Sequence, residues 1–584
     1  MVLAPLTRLP SAFEQVGVFI DEHALGIEPL APDDVEALMR HVGFEPAVWG
    51  LTAVLRTIDN VERTPAAQLA LARKIYADDN VVASIAGALH AGRGDVVLAE
   101  QQLVALARIA ILVARPMDLS DSADAGGEAL ERALLASGSL VLSDQERLTG
   151  DPPDELELTS TLLQIGAFCA REPLAEALGR TAYLFGDLAR SPAATTRRDY
   201  VDLGALGPDV ETQLALGLSA LGHTGALSGS LEDIRPGVLA PDWIDVAANA
   251  VGVPADDVPA MLTADRQWFA RTFGAIEAAL KLSDEAARAG WNRAPFDMRP
   301  FLRLNSGQML LWSPSALVAW MTDGVYHRFH AAAKAAGEGG DFRTFFGWLV
   351  EEYVREVLRE VHPGPRLPGG GRVLDEITYP TRAGDRRSPD AALDLGPDLV
   401  LFEVASGRLT LPTRVEGTPE TVFDNLENIV LGKARQLSGR IDDFCSGSLT
   451  YPDVSSAHVE RIWPVLVTGT GLLMNEALAN RIRDDLGDHL HQPRVQYLTI
   501  LDLADLEQLC ALVEQGHSVA EVLRRKTGGY AELDFRRLVH DDPHLDPTAR
   551  SSGSERRIRN AFAIVAERFG WDATQLDAML DEGR

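Results

Sequence analysis

The stretch SPDAALDLGPDLVLFEVASGRLT, residues 388–410, contains two short apolar runs separated by a Gly-Pro pair. Apolar runs of this length, bounded by residues that favour turns, predict two neighbouring β-strands. Asp390 opens the first run, and Glu403 lies inside the second, between Phe402 and Val404. Burying an unpaired carboxylate in an apolar strand is costly, so we expect a cation opposite Glu403.

Helix and strand patterns alternate around this stretch, through residues 291–502. A helix with apolar residues every three or four positions, from about Phe342 to Val361, comes first. Three strands, a long helix over about residues 421–444, a strand, a helix and a last strand follow. The strands are RVLDEITYP (372–380), DAALDLG (390–396), DLVLFEVAS (398–406), IWPVLVTG (462–469) and VQYLTILD (495–502). This order predicts a mixed sheet with helices on both faces.

The remaining parts of the chain are predicted to be helical. Residues 1–290 show three- and four-residue apolar spacing without a recognisable chemical motif, which predicts an all-helical domain for scaffolding or recognition. Residues 503–584 form a helical C-terminal extension, in which the polar segment DDPHLDPTARSSGSERR (541–557) is predicted to be a mobile connection. The predicted fold class is therefore α + α/β.

Composition limits the kinds of function that the chain can have. The formal net charge of −31 argues against a general polyanion-binding surface, so any contact with nucleic acid must be made in a local basic groove. Three widely spaced cysteines form neither a disulfide framework nor a zinc site. The N-terminal residues lack the layout of a signal peptide, and no apolar run approaches the ~20 residues that span a bilayer. We expect a cytoplasmic protein without membrane contact.

The order of elements and the placement of carboxylates resemble the PD-(D/E)xK nuclease superfamily, which has the restriction-endonuclease-like fold. The resemblance covers about residues 340–502. It depends on Pro389-Asp390, on Glu403 thirteen residues later, on GWLVEEYV (347–354) in the first helix, and on KARQL (433–437) in the helix after the acidic strand. In that family, the aspartate begins one strand of a hairpin and the glutamate lies on the next, so the two carboxylates converge.

The resemblance implies a set of catalytic and metal-binding residues. Asp390, Glu403 and the backbone carbonyl of Val404 would bind Mg²⁺ or Mn²⁺, with Glu351 completing the shell through a water molecule. Glu351 fits this role better than its neighbour Glu352 because of its place between apolar helix positions. Gln436 would lie near the metal or the substrate phosphate. Oxygen ligands of this kind suit Mg²⁺, which lowers the pKa of its water and neutralises charge on a phosphate.

Ala405 stands where the family has a lysine, two residues after the glutamate. That lysine orients or deprotonates the attacking water, and alanine can do neither. One explanation is a naturally altered site that is degenerate or takes its amine from elsewhere, with Lys433 as the nearest candidate. The other is an engineered inactive form in which alanine replaced lysine.

A local excess of positive charge surrounds the predicted site. Five arginines lie in the flanking loops: Arg382, Arg386, Arg387, Arg408 and Arg414. Guanidinium groups bind phosphate in bidentate geometry, so these residues are candidates for gripping a nucleic-acid backbone. For each of them, a solvated loop on an acidic protein is the alternative.

These observations together predict a metal-dependent nuclease, acting on DNA rather than RNA, with its activity impaired or absent because of Ala405. A large helical region fused to such a nuclease would suit bacterial defence against foreign DNA, by analogy of architecture alone. The helical region would contact a protein partner or a DNA feature. Two alternatives stay open: a non-catalytic scaffold that binds nucleic acid or protein, and an interaction protein that works through its acidic surface.

Overall fold

The structure of the protein is a computed structural model. It describes residues 20, 25–26, 29–58, 61, 64–92, 96–119, 126–141, 173–225, 235–362, 371–382, 384–469, 471–472, 474, 476–490 and 492–570. Within these ranges, a helical N-terminal region precedes a mixed sheet flanked by helices, and helices follow it. The α + α/β fold class predicted from the sequence is confirmed.

The N-terminal region consists mainly of helices that bury one apolar face. Their bounds are α1 (Pro32–Val42), α2 (Phe44–Ile58), α3 (Pro65–Ile75), α4 (Asp79–His90), α5 (Glu100–Val113), α6 (Gly126–Ala136), α7 (Gly138–Val141), α8 (Leu174–Ala182), α9 (Pro192–Thr195), α10 (Val210–His223), α11 (Trp243–Val251), α12 (Asp257–Leu262), α13 (Arg266–Leu280) and α14 (Asp284–Arg288). A π-helical segment, Tyr183–Leu188, continues α8, and a 3₁₀ turn spans Leu203–Ala205.

A small four-stranded sheet crosses the predicted boundary near residue 290. Strands β3 (Phe301–Arg303) and β4 (Met309–Leu311) form a hairpin around Gly307, where φ is +84°. They pair with β1 (Val238–Leu239) and β2 (Thr263–Ala264), in the order β1-β4-β3-β2. The first 290 residues therefore contribute two short strands where the sequence pattern indicated helix alone.

Three helices lead from the small sheet to the large one. After the short helix α15 (Ala294–Met298) come α16 (Pro314–Met321), α17 (Asp323–Ala335) and the long α18 (Gly339–Val361). The buried face of α18 includes Phe342, Phe345, Leu349 and Tyr353, at the spacing that one helix face requires. This face packs on the large sheet and anchors the helix that carries Glu351.

The large sheet has five strands in the order β11-β10-β9-β8-β5. Strands β5 (Arg372–Leu374), β8 (Ala391–Asp394) and β9 (Asp398–Ala405) are antiparallel, whereas β9, β10 (Arg461–Thr468) and β11 (Thr499–Asp502) are parallel. The parallel pairs need crossover helices. These are α19 (Leu411–Val415), α20 (Pro419–Leu426), α21 (Gly432–Cys445) and α22 (Glu476–Leu486), with a π-helical segment at Glu427–Leu431 between α20 and α21.

A separate two-stranded ribbon differs from the sequence prediction. The strands predicted from the sequence, 372–380 and 390–396, leave residues 381–389 outside any strand, but β6 (Thr378–Thr381) pairs with β7 (Gly384–Arg387) as an antiparallel hairpin. All four residues of β7 are exposed, so the segment has no apolar alternation that could have identified it as a strand. Tyr379 attaches the ribbon to α21 by donating a hydrogen bond to Asp443 at 2.8 Å.

The hydrophobic cores combine distant parts of the chain. One core joins the helices of residues 20–140 to residues 264–316. A second joins helices from residue 175 onward to the face of the large sheet that carries Val400, Phe402 and Val404. The opposite face of the sheet is covered by α20, α21 and α22. The domain boundaries at 290 and 502 stay predictions.

The C-terminal helices pack back onto the rest of the molecule. They are α23 (Leu503–Glu514), α24 (Val519–Gly529), α25 (Phe535–Asp541) and α26 (Ser552–Phe569). Residues 541–557 were predicted to be a mobile connection. This prediction is wrong for the second half of the segment, because α26 begins within it. Ser551 caps that helix, and the buried Arg557 bonds Glu360 of α18 at 2.9 Å.

Candidate active site

The β8–β9 hairpin brings Asp390 against β9. Asp390 lies immediately before β8, and Ala391 is opposite Phe402 in the antiparallel register. The Oδ2 atom of Asp390 accepts a hydrogen bond from the amide N–H of Val404 at 2.7 Å. Asp390 is therefore fixed at the strand that carries Glu403. The Val404 group that the structure brings to this carboxylate is the N–H, whereas the sequence suggested a role for the carbonyl.

Glu403 is fully buried and contacts two cations of α21. The Nζ atom of Lys433 lies 3.0 Å from its Oε1, and Nη1 of Arg440 donates to its Oε2. Lys433 and Arg440 are seven residues apart, about two helical turns, so they extend from the same helix face. Two side-chain cations thus lie opposite Glu403 and offset the cost of burying the carboxylate, while a metal ion at this carboxylate stays a prediction.

Ala405 lies on the same face of β9 as Glu403, because side chains alternate along a strand. It is buried in the cluster beneath α20 and α21, beside residues such as Val422 and Leu426. An amine reaches Glu403 from the neighbouring helix, as Lys433. Since a π-helical segment ends at Leu431, two residues before it, the local helix winding also sets the direction of this lysine.

Glu351 faces the same group of charges from the other flanking helix. Burial and the charge of Asp390 raise the pKa of Glu351 to about 7, while Arg355 and Lys433 act in the opposite direction. Arg355 also donates to the backbone carbonyl of Asp390 at 3.1 Å, which connects α18 directly to the start of β8. The structure therefore brings Glu351 and Asp390 into electrostatic contact.

The neighbouring glutamate of α18 has a different environment. Glu352 pairs with Arg355 at 2.7 Å and with Arg359 at 3.1 Å, on the adjacent side of the helix. These pairs satisfy its carboxylate locally, whereas Glu351 lines a cavity next to the sheet. The two glutamates therefore have different surroundings, and the metal-binding role of Glu351 stays a prediction.

Glu376 is a further acidic residue of this group that the sequence analysis missed. It lies between β5 and β6, lines the same cavity as Glu351, and pairs with Arg387 at 3.7 Å. Burial raises the pKa of Glu376, Arg387 opposes the shift, and the charge of Asp390 adds to it. The charge of Asp390 thus acts on both Glu351 and Glu376, while Asp390 itself is hydrogen-bonded to the strand that carries Glu403. No local pattern marks Glu376, because it belongs to a short polar connection.

The chemistry of this donor set fits a hard divalent cation, since carboxylate oxygens are the ligands that Mg²⁺ prefers. Burial, with a smaller contribution from the charge of Asp390, raises the pKa of Glu351, and a bound cation would favour its ionised form. These side chains do not yet form a set of metal ligands. Among the described residues, no three Asp, Glu, His or Cys side chains lie close enough together to hold a metal ion. Glu403 would have to exchange a cationic partner for the ion.

Gln436 lies on α21 between Lys433 and Arg440. With its amide oxygen turned towards Arg440, as the hydrogen bonding requires, it accepts from Nη1 at 3.2 Å. Gln436 is exposed, and its nearest functional contact is the guanidinium rather than a carboxylate. The spacing of Lys433, Gln436 and Arg440, three and four residues apart, is the sequence signal that could have identified Arg440 as well.

The five candidate arginines divide into two groups. Arg382, Arg386 and Arg387 lie on the exposed ribbon; Arg386 pairs with Asp443 at 3.2 Å, and Arg387 reaches the cavity. The other two lie towards the helical region. Arg408 pairs with Asp323 and sits 4.7 Å above the ring of Tyr326.

Arg414 belongs to the second group. It is half-buried, and burial lowers its pKa although the charges of Asp297 and Asp323 oppose that shift. Of the five arginines, Arg387 lines the same cavity as Glu351 and Glu376. Arg408 and Arg414 instead join residues 408–414 to the segments that contain Asp297 and Asp323.

Comparisons with known proteins identify no relative. No protein-family model, no curated protein and no solved structure matches this chain. Membership of the nuclease superfamily stays a prediction that depends on the residues of the site. Among the described residues, no helix combines the length and the apolar character that crossing a bilayer would require.

Proposed function

We propose that this chain is a cytoplasmic, metal-dependent nuclease that hydrolyses phosphodiester bonds of DNA, with Lys433 in place of the lysine that Ala405 lacks. One observation carries the proposal: the amine of Lys433 lies 3.0 Å from Oε1 of the buried Glu403. An amine next to the acidic residue of the second strand is what the resemblance requires. It comes here from α21 rather than from β9.

The residues of the site divide the chemical work between them. Asp390, Glu403 and Glu351 would hold Mg²⁺ or Mn²⁺, which supplies an activated water and neutralises charge on the phosphate. Lys433 orients the attacking water by hydrogen bonding and stabilises negative charge that develops on the phosphate oxygens. Arg387, which lines the cavity, binds the phosphate backbone.

Lys433 also bears on the two explanations of Ala405. A site that was inactivated by replacing its lysine would not need a second amine at the same glutamate. The contact between Lys433 and Glu403 therefore supports a natural site that takes its amine from the helix. The helical region, whose role stays a proposal, would recognise a protein partner or a feature of foreign DNA in a defence system.

A non-catalytic nuclease fold is the second candidate, and the contact of Arg440 with Glu403 favours it. Its guanidinium donates to Oε2 of Glu403 and, at 3.0 Å, to the carbonyl of Arg387. If this contact is permanent, Glu403 cannot bind a metal, and the cleft would bind nucleic acid without cutting it. The two candidates predict opposite outcomes for metal-dependent hydrolysis.

The test is hydrolysis of fluorescent single-stranded and duplex DNA and of RNA, with Mn²⁺, with Mg²⁺ and with EDTA. We expect DNA cleavage that needs the metal and is lost in Asp390→Asn. The matched control is Asp394→Asn, which changes a buried carboxylate at the far end of β8. Absence of metal-dependent cleavage of every substrate, or cleavage that Asp390→Asn leaves unchanged, would contradict the proposal.

A further inference from the structure

A cavity of about 250 Å³ lies beside Glu351 and Glu376 and is lined by residues from distant parts of the sequence. Its lining residues are Arg197, Thr344, Trp348, Glu351, Arg355, Glu376 and Arg387. Four of these belong to α18: Thr344, Trp348, Glu351 and Arg355. They are four, three and four residues apart, so they lie along one face of the helix. A polar and aromatic face of α18 that includes Glu351 therefore lines the cavity.

Trp348 and Arg197 form a stacked pair in the lining of the cavity. The guanidinium carbon of Arg197 is 4.9 Å from the centre of the Trp348 ring. Asp199 accepts two hydrogen bonds of 2.8 Å from this guanidinium, and the ring of Phe345 is nearly parallel to the indole, with the ring centres 6.2 Å apart. Both groups are partly exposed, so they offer an ordered planar surface to a ligand.

The chemistry of this surface suits one part of a nucleic acid in particular. Aromatic rings and guanidinium planes both stack on nucleobases, and bases become available for stacking when they are unpaired. Arg387, on the ribbon side of the cavity, is 71% exposed in its side chain and can contact a phosphate. Within an intact duplex, a base is stacked on its neighbours and cannot enter such a cavity.

We propose that Arg197 and Trp348 form a subsite for one unpaired nucleotide, which makes single-stranded DNA or a frayed DNA end the preferred substrate. This inference rests on the proposed function, because it assigns a substrate class to the same site. It also gives the helical region a direct part in substrate binding, since Arg197 belongs to the segment that follows α9.

The subsite is tested by binding rather than by cleavage. Fluorescence anisotropy with a labelled single-stranded oligodeoxynucleotide in EDTA measures affinity without hydrolysis. Stacking of one base contributes ~1–3 kcal/mol, so we expect Trp348→Ala to weaken binding by about 10-fold. Arg197→Ala should weaken single-strand binding too. Trp348→Phe, which keeps a ring, should retain most of the affinity and shows whether the alanine variant fails for structural reasons.

Trp268 provides a matched control elsewhere in the protein. Its ring lies 5.8 Å from the guanidinium carbon of Arg299, so the two form the same kind of pair as Trp348 and Arg197. Trp268 belongs to α13 and does not line the cavity. Trp268→Ala should bind the single strand as the wild type does. Equal affinity of the Trp348→Ala and Trp268→Ala variants, or equal wild-type affinity for single strand and duplex, would overturn the subsite. Failure of the nuclease proposal would appear separately, as missing metal-dependent cleavage.

Discussion

Replacing Lys433 by alanine removes the amine on which the proposed catalysis depends. At 3.0 Å from Glu403 and an effective dielectric constant of ~20, the pair interacts by about 5 kcal/mol before solvent screening. Because Arg440 still pairs with the carboxylate, we expect the cost in folding stability to be only about 1–3 kcal/mol. Loss of a positioned group of this kind typically lowers the rate by ~10²–10⁴, which corresponds to about 3–5 kcal/mol of activation free energy.

The assay is single-turnover hydrolysis of a labelled oligonucleotide at saturating Mn²⁺. Arg435→Ala is the matched control, because it removes a cation of the same helix that pairs with the exposed Glu427. A Lys433→Ala variant that is folded and cleaves at the wild-type rate would refute the role of the amine. In a second step, Ala405→Lys in the Lys433→Ala background should restore part of the rate, since position 405 shares a strand face with Glu403.

Three further predictions concern metal exchange, the buried core and pH. Arg440→Ala should tighten Mn²⁺ binding, measured by calorimetry, because it frees an oxygen of Glu403; weaker binding would argue against exchange. Glu507→Ala leaves Arg180, its partner at 2.9 Å, buried without that carboxylate, and should lower the free energy of unfolding in urea by about 3–5 kcal/mol. Burial and a neighbouring aspartate raise the pKa of Asp505 to about 8. The folded state then holds a proton that the unfolded state releases from its ordinary pKa upward, so the melting temperature should fall as pH rises from about 4 to about 8. An equally steep fall in Asp505→Asn would exclude this carboxyl as the cause.

The sequence predicted those elements whose side chains follow a clear period. The apolar spacing of α18 and the apolar runs of β8, β9 and β10 carry strong signals, because each is buried along a face or throughout. The ribbon β6–β7 was missed because β7 is fully exposed. The start of α26 was missed because its first turn is polar and is stabilised by the cap of Ser551 and by tertiary contacts.

Within the site, the sequence identified residues that a short motif can mark. Asp390 and Glu403 were predicted as site residues from their spacing in a strand pair, and Lys433 was named only as the nearest amine. Contacts made by tertiary packing have no such signal. Arg197 meets Trp348 although about 150 residues separate them, and such distant pairs follow from the fold rather than from a local pattern.

The central claim is that carboxylates of separate segments converge to bind one divalent ion beside Lys433. Calorimetric titration of the intact protein with Mn²⁺ tests it most directly. The account predicts one site in the wild type, lost in Asp390→Asn and retained in the Asp394→Asn control. No measurable binding, or a site that survives in Asp390→Asn, would contradict it.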